Sequence, residues 1–276
     1  LKLCLDRLDK QTYGRENFEI IIIDNNSTQN VSDVTSKYKD IVLLHETKPG
    51  PYAATNTGLR KAKGPIIALT ASDVKPEFDW LEQGVMGLTS KENVGILAGE
   101  INIFFKDPDK PTTTELYEKV FEFNQARAVK KVHFGITANV LTWKKLFDEL
   151  GLYNDEHMSG GDREWGFRVY NAGYDIIYYP KCKVHHPARQ IEEFKKKLKR
   201  IINKGYYEPE ENRSKISKFF LKAGRYISVP FREIGGLIVS KKVRGFGKKL
   251  RVLFFIKYRA IYVIWLMIRK IFTKKG

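Results

Sequence analysis

The sequence predicts an α/β fold: an open, mainly parallel twisted sheet with helices on both faces, followed by a basic helical appendage. Three observations predict it. Short β-branched runs alternate with helix-like segments through the first 189 residues, the pattern left by strand–helix–strand units. With 276 residues, 42% hydrophobic and 29% charged, the chain can bury a core, and global disorder is excluded. The charge is also segregated. From Gln190 onward there are 24 Lys+Arg against 6 Asp+Glu, leaving 25 against 26 before it. The expected organisation is therefore a near-neutral body over residues 1–189 and a strongly basic tail over residues 190–276.

The elements follow in order. Phe18 to Asp24 (FEIIIID) has no polar alternation, as expected of a strand covered on both faces. It runs into DNNST, a cluster of turn and capping residues. Ile41 to His45 reads as a second strand, and Tyr52 to Ala62 as a helix stopped at Gly64. Pro65 to Thr70 is another buried-strand run, leading to Ser72 and Asp73. Trp80 to Thr89 is helical and Val94 to Phe105 strand-like. Glu115 to Lys130 reads as one longer helix. Arg163 to Ala172 is a helix ended by Gly173, and Tyr174 to Tyr179 a strand. In open sheets of this kind ligands collect at the carboxyl ends of strands, which is where Asp24 and Asp73 fall.

Composition narrows the function classes. Cys4 and Cys182 are too few for a disulfide scaffold and fit a reducing compartment. LKLCLDRLDK lacks the apolar core of a signal peptide, and no uncharged run approaches the roughly 18 residues of a spanning helix. A fold that reads nucleic acid spreads its positive charge over the folded domain, so the segregated tail points instead to an anionic surface or an extended polyanion, and for the latter the sequence lacks aromatic stacking motifs on a sheet. Between Lys248 and Phe272, Lys248, Arg251, Arg259, Arg269 and Lys270 gather on one side of a helical wheel. Tyr258, Tyr262 and Trp265 add amphipathic rings. That composition suits a helix lying in the plane of an anionic leaflet.

Four segments occur together in order: QTYGRENFEIIIIDNNST, PGPYAATNTGLRKAKGPIIALTASDVKPEFDWL, GITANVLTWKKLFDELG and SGGDREWGFRVYNAGYDIIYYPKCKVHHPAR. As an ordered set they resemble family 2 glycosyltransferases of the GT-A fold, which move a sugar from a nucleotide-diphosphate donor to an acceptor hydroxyl. The resemblance covers most of residues 1–189. It implies an inverting, metal-assisted enzyme using Mn²⁺ or Mg²⁺, on the cytoplasmic face of the cell membrane, with a glycan or lipid-linked acceptor, in envelope or exopolysaccharide assembly.

The resemblance also assigns residues. Asp162 in SGGDREWG matches the catalytic base, which must sit within hydrogen-bond reach of the acceptor hydroxyl; its bland reading is a helix N-cap, and Glu164 is the fallback. Asp73 matches the last aspartate of an Asp-x-Asp metal motif whose first position is here Ala71; alone it reads as a turn residue. His186 matches a histidine that completes the metal site, oxygen and imidazole being acceptable donors to Mn²⁺, while His185 faces the other way by strand alternation. Asp24 and Asn25 match base and ribose contacts, and Asn56 a residue near the donor phosphates, with Thr55 where relatives carry arginine. Asn139, Gly161 and Trp165 match the sugar and acceptor side, with packing an equal reading for Asn139 and Trp165. His45, His133 and His157 carry no motif. The chain begins inside the helix (Leu1 to Gln11) that follows the family's first strand, as expected of an amino-terminal fragment; a degenerate protein is the alternative. The competing function is a peripheral membrane-binding protein of this fold whose transfer site has decayed, favoured by Ala71, Thr55 and the missing first strand.

Overall fold

The computed structural model describes residues 1–204 and 232–273; the tail residues 205–231 and 274–276 lie outside this description. In chain order the elements are α1 (Lys2–Leu8), β1 (Ile20–Asp24), α2 (Ser32–Thr35), β2 (Ile41–His45), α3 (Pro51–Lys61), β3 (Ile66–Thr70), β4 (Lys75–Pro76) and α4 (Trp80–Leu88). Then come β5 (Val94–Phe104), α5 (Thr113–Phe121), α6 (Gln125–Val132), β6 (Asn139–Trp143), α7 (Lys144–Leu150), α8 (Gly161–Asn171) and β7 (Asp175–Pro187). Helices α9 (Ile191–Lys204), α10 (232–239) and α11 (Phe246–Thr273) follow.

The fold is α/β, but the sheet is mixed rather than mainly parallel. β1 and β2 form a parallel pair with Asp24 opposite His45. The other five strands are ordered β3-β6-β5-β7-β4, and β6 runs antiparallel to both β3 and β5, as β4 does to β7. An apolar run has the same period in either direction, so strand direction was not encoded in the pattern that revealed the strands. β1 also differs from expectation. Its three central isoleucines are half-buried, because β2 is its one ladder partner among the described residues. On one face α3 lies so close that a Cβ on Gly58 would stand 2.7 Å from Ile23 Cδ1.

The single helix expected over Glu115–Lys130 is two. Thr112 caps α5 in a reciprocal box with Glu115, worth about 1 kcal/mol. The chain then breaks at Phe123, which has a left-handed φ of 53°, and Asn124 caps α6 by accepting the Arg127 N–H at 3.0 Å. The final strand is longer than expected, continuing through His185 and His186 to Pro187.

The chain divides into two compact units. Unit 1 contains Leu1–Asn102 and Asn124–His186, and unit 2 contains Ile103–Phe123 and Pro187–Gly276. The helical tail is thus grouped with α5, which a linear boundary at 189/190 does not anticipate. In unit 1 a core of Leu59, Ile67, Ile96, Val140, Leu146, Phe147 and Trp165 lies between sheet and helices. In unit 2 Leu116, Tyr117 and Val120 of α5 join Phe194 and Leu198 of α9 and Val252, Ile256 and Val263 of α11. Both cysteines are free and buried.

Candidate active site

Asp162 is the second residue of α8. The turn into that helix needs Gly160, whose φ of 83° is left-handed. Asp162 Oδ1 accepts the Arg163 N–H at 2.9 Å and the Tyr52 hydroxyl at 3.4 Å. The side chain is half-buried, and desolvation lifts its carboxyl from the ordinary 3.8 to about 6, against the opposing pull of hydrogen bonds from Arg163, Tyr52 and the Thr137 backbone. A carboxylate tuned to this range, with part of its surface open to solvent, can accept a proton from a bound hydroxyl near neutrality.

Asp73 lies in the turn that leaves β3, pinned by the fully buried Val74 beside it. Its side chain is 55% exposed, and Oδ1 stands 3.7 Å from Nε2 of His186, whose side chain is 6% exposed. His186 is delivered by β7, where the pairing of Lys75 with His185 holds the strand end against β4. His185 points elsewhere: its Nε2 is 2.6 Å from Glu77 Oε1, a contact that holds the Glu77 carboxyl below its usual range. Asp73 and His186 thus form an oxygen-plus-imidazole donor pair. It fits a divalent cation that takes its other ligands from diphosphate oxygens and water, as Mg²⁺ and Mn²⁺ do. Among the described residues no group of three or more His, Cys, Asp or Glu forms a metal cage by itself.

A short relay of bonds joins this corner to Asp162. Thr137 donates its backbone N–H to Asp162, and the next residue, Ala138, accepts the Thr70 hydroxyl at 3.0 Å. Thr70 is the last residue of β3, three before Asp73.

Asp24 ends β1 in a buried position. Its carboxyl is held below the usual range by the Ser27 hydroxyl and backbone N–H, the latter at 2.9 Å, and His45 Nδ1 stands 3.3 Å from Oδ2. His45 was given no role from the sequence. The signal that finds it is the parallel register, which sets the two strand ends side by side.

Five expected contact residues are occupied by the protein itself. The Asn25 amide donates to the carbonyls of Glu46 and Lys48 at 2.8 Å each, and its oxygen accepts the Gly50 N–H at 2.9 Å. It shapes the β2–α3 loop. Asn56, 3% exposed, makes both amide bonds to the backbone of Tyr153. Asn139 is wholly buried and bonds Trp80 Nε1 and the carbonyls of Glu100 and Cys182. Trp165, 1% exposed, stacks on Phe147 with centroids 4.3 Å apart and donates to the Gly151 carbonyl, so its ring has no face left for an acceptor. A Cβ on Gly161 would lie 2.8 Å from the Tyr52 ring; the glycine makes room for that tyrosine, which in turn reaches Asp162. Glu164, the fallback base, is held by Arg168 at 2.9 Å.

Solved structures define the class. The mannosyltransferase PcManGT of Pyrobaculum calidifontis, determined with GDP-Man and Mn²⁺, aligns with 99% of this chain and 83% of its own at a TM-score of 0.60 and 18% identity. The S. aureus protein TarS (residues 1–349, with UDP) aligns with 96% of this chain and 83% of its own at a TM-score of 0.52 and 14% identity. At these identities the likeness is one of fold, and the fold is that of the GT-A glycosyltransferases. The sequence places the chain within the class. The profile of Glycosyl transferase family 2 matches residues 1–151, more than half of the chain, and the chain belongs to that family. The matched span holds Asp24, Asn25, Asn56, Asp73 and Asn139 and stops before Asp162 and His186.

Curated relatives agree. Glycosyltransferase AglE of Haloferax volcanii is 28% identical over 206 residues, covering 73% of this chain and 67% of AglE. The probable glycosyltransferase YdaM of Bacillus subtilis is 25% identical over 180 residues, 61% of this chain but 43% of YdaM. The pre-mycofactocin glycosyltransferase of Mycobacterium tuberculosis is 26% identical over 196 residues, 68% of this chain but 40% of its own. The matched region is thus under half the length of the latter two.

Proposed function

We propose that this glycosyltransferase moves a sugar from a nucleotide-diphosphate donor to an acceptor hydroxyl in a single inverting displacement, with Asp162 as the general base. The observation that carries the reading is the Asp162 carboxyl: half-buried, hydrogen-bonded only by neutral donors, and raised to about 6. In this scheme the acceptor hydroxyl gives its proton to Asp162 as its oxygen attacks the anomeric carbon and the sugar–phosphate bond breaks. Tyr52 and the Arg163 and Thr137 amides orient the carboxylate. Asp24, steadied by Ser27 and His45, faces the nucleoside. Asn25 and Asn56 act indirectly, by fixing the loop and helix that border the nucleotide.

Asp73 and His186 would hold a divalent cation, Mn²⁺ or Mg²⁺, which when bound offsets charge on the departing diphosphate. Neighbours of the same fold support both donor and metal. PcManGT was solved with GDP-Man and Mn²⁺, GalNAc-T7 with UDP, GalNAc and Mn²⁺, and TarS with UDP-GlcNAc. For the setting we propose a glycan or lipid-linked acceptor in envelope or exopolysaccharide assembly, with the enzyme held by its basic tail on the cytoplasmic face of an anionic membrane. The net charge of +17 and the absence, among the described residues, of a helix long and apolar enough to cross a membrane are consistent with a peripheral attachment.

The test is turnover of nucleotide-diphosphate sugars by the full chain with Mn²⁺, beside Asp162→Asn. Nucleoside-diphosphate release that disappears in the variant supports the base. Equal release by both proteins refutes it, and donor binding without release by either identifies a decayed binding protein instead. Asp73→Ala is expected to remove the Mn²⁺-dependent part of the thermal shift given by the nucleoside diphosphate.

A further inference from the structure

α11 is apolar around most of its circumference, yet the structure gives it two distinct faces. Val252, Ile256 and Val263 are fully buried in the core of unit 2. At about 100° per residue the opposite side carries Phe246, Phe254, Tyr258, Ile261, Trp265 and Ile268, all exposed, with Phe254 at 61% and Ile261 at 69%. The cations do not divide as a helical wheel of the sequence suggests. Arg259 is buried, bonded to Glu233 at 2.9 Å and set over the Tyr117 ring. Lys270 reaches the Ile202 carbonyl at 2.5 Å. These two belong to the inner side of the helix, where they meet protein.

The outer face has a consistent chemistry. Tyr258, Tyr262 and Trp265 form a ladder of near-parallel rings with centroids 5.9 and 5.8 Å apart, and Arg269 lies over Trp265 at 5.5 Å. Lys257 is exposed along the same helix, which contains no Asp or Glu; Arg251 is exposed too, but its guanidinium is turned onto the Pro111 carbonyl at 2.8 Å and the Thr113 hydroxyl at 3.2 Å. The end of α10 adds the exposed apolar residues Ile238 and Val239, and the turn after it adds the exposed cations Lys241, Lys242 and Arg244. Lys249 ties the end of α10 to α11 by donating to the Ile238 carbonyl at 2.7 Å.

We infer that this outer face is a docking surface for an anionic lipid bilayer, with α11 lying flat for about 42 Å and its aromatic and aliphatic stripe inserted at the headgroup–acyl boundary. A large exposed apolar stripe marks an interaction surface, and aromatic rings with basic flanks fit an interface between apolar chains and phosphate headgroups. A second copy of the chain is a poorer occupant, because a two-fold contact would set one row of cations against the same row with no carboxylate between them. The inference deepens the membrane attachment proposed above by naming the face that makes it; its observations come from unit 2 alone, and its failure would leave the role given to Asp162 untouched.

The experiment uses the full chain and two kinds of vesicle, phosphatidylcholine alone and phosphatidylcholine mixed equally with phosphatidylglycerol. Flotation is expected with the mixed vesicles, weakening as salt is raised. It should fall on the order of a hundredfold in Phe254→Glu/Ile261→Glu. Brominated lipid should quench tryptophan fluorescence of the unaltered protein, and Trp265→Phe should remove most of that quenching, since Trp80 and Trp165 are buried and the half-buried Trp143 packs against the core of unit 1 and donates to the Val94 carbonyl. This second measurement does not depend on how the charged variant folds. Unaltered flotation of the double variant, quenching that persists in Trp265→Phe, or a dimer that the double variant dissociates in the absence of any vesicle binding would each overturn the proposal.

Discussion

Asp162 in unit 1 and Glu122 in unit 2 are both partly withdrawn from water, and the protein treats them in opposite ways. Burial by itself would raise Glu122, but Lys197 beside it, at 2.5 Å, holds the carboxyl below its ordinary range. Glu118 in the same unit is fully buried and is met by Arg189 at 2.8 Å. Asp162 is met by amides and a phenol, and no ion pair among those of the described residues involves it. Desolvation therefore prevails there, and the carboxyl keeps its proton to about 6. A carboxylate matched with a cation is a structural tie. One left to neutral donors is kept reactive at a cost in stability.

The contrast can be broken at its strongest point first. Asp162→Asn is expected to lower sugar transfer by roughly a thousandfold, the range of a positioned base, measured as nucleoside-diphosphate release. Next, Asn139→Ala should cost about 3 kcal/mol in urea unfolding, because Trp80 Nε1 and two backbone carbonyls lose their partner in a dry site. Any activity surviving in the folded fraction should keep its KM for donor. In unit 2, Lys197→Met should cost about 2 kcal/mol, less than for a fully buried pair since both side chains keep some exposure. Adding Glu122→Gln should restore most of it.

The smallest effect sharpens the comparison most. The folded state holds the Asp162 proton between 3.8 and about 6, where an unfolded chain has already released it. The stability conferred by protonation is accordingly lost as pH rises through that window. Asp162→Asn should therefore be the more stable protein at about pH 8, by about 1–2 kcal/mol once the roughly 3 kcal/mol of the full shift is discounted for the part of the side chain that stays in solvent, and the difference should vanish below about pH 3. The activity of the unaltered protein should rise on the alkaline side of about 6.

What could be read from the sequence was mostly what local period and chain order encode. The runs IIIID and IIALT appear as strands β1 and β3, and the GT-A class followed from the ordered motifs. The direction of β6 was not legible, because reversal leaves its apolar pattern unchanged. The split of Glu115–Lys130 was signalled only by Asn124, a capping residue in the middle of a helical pattern. Within the site, carboxylates and the histidine could be singled out because their chemistry is scarce. The asparagines could not be sorted, since an amide that binds a ligand and one that clamps a loop look alike until the backbone carbonyls around Asn25, Asn56 and Asn139 are in place. Tyr52 was hidden for the converse reason: it sits in a quoted motif, and its reach to Asp162 exists only because residue 161 lacks a side chain.

The grouping of α5 with the last helices sets the rules for dissecting this enzyme. Leu116, Tyr117 and Val120 find their lining in α9 and α11, although some seventy to a hundred and fifty residues of chain separate them. A truncation after Arg189, the natural choice for anyone wanting the minimal transferase, would retain α5 and strip its greasy side. The expected product of such cloning is an inclusion body, whatever the fate of the sugar chemistry. A usable short form would have to replace those three side chains with polar ones at the same time.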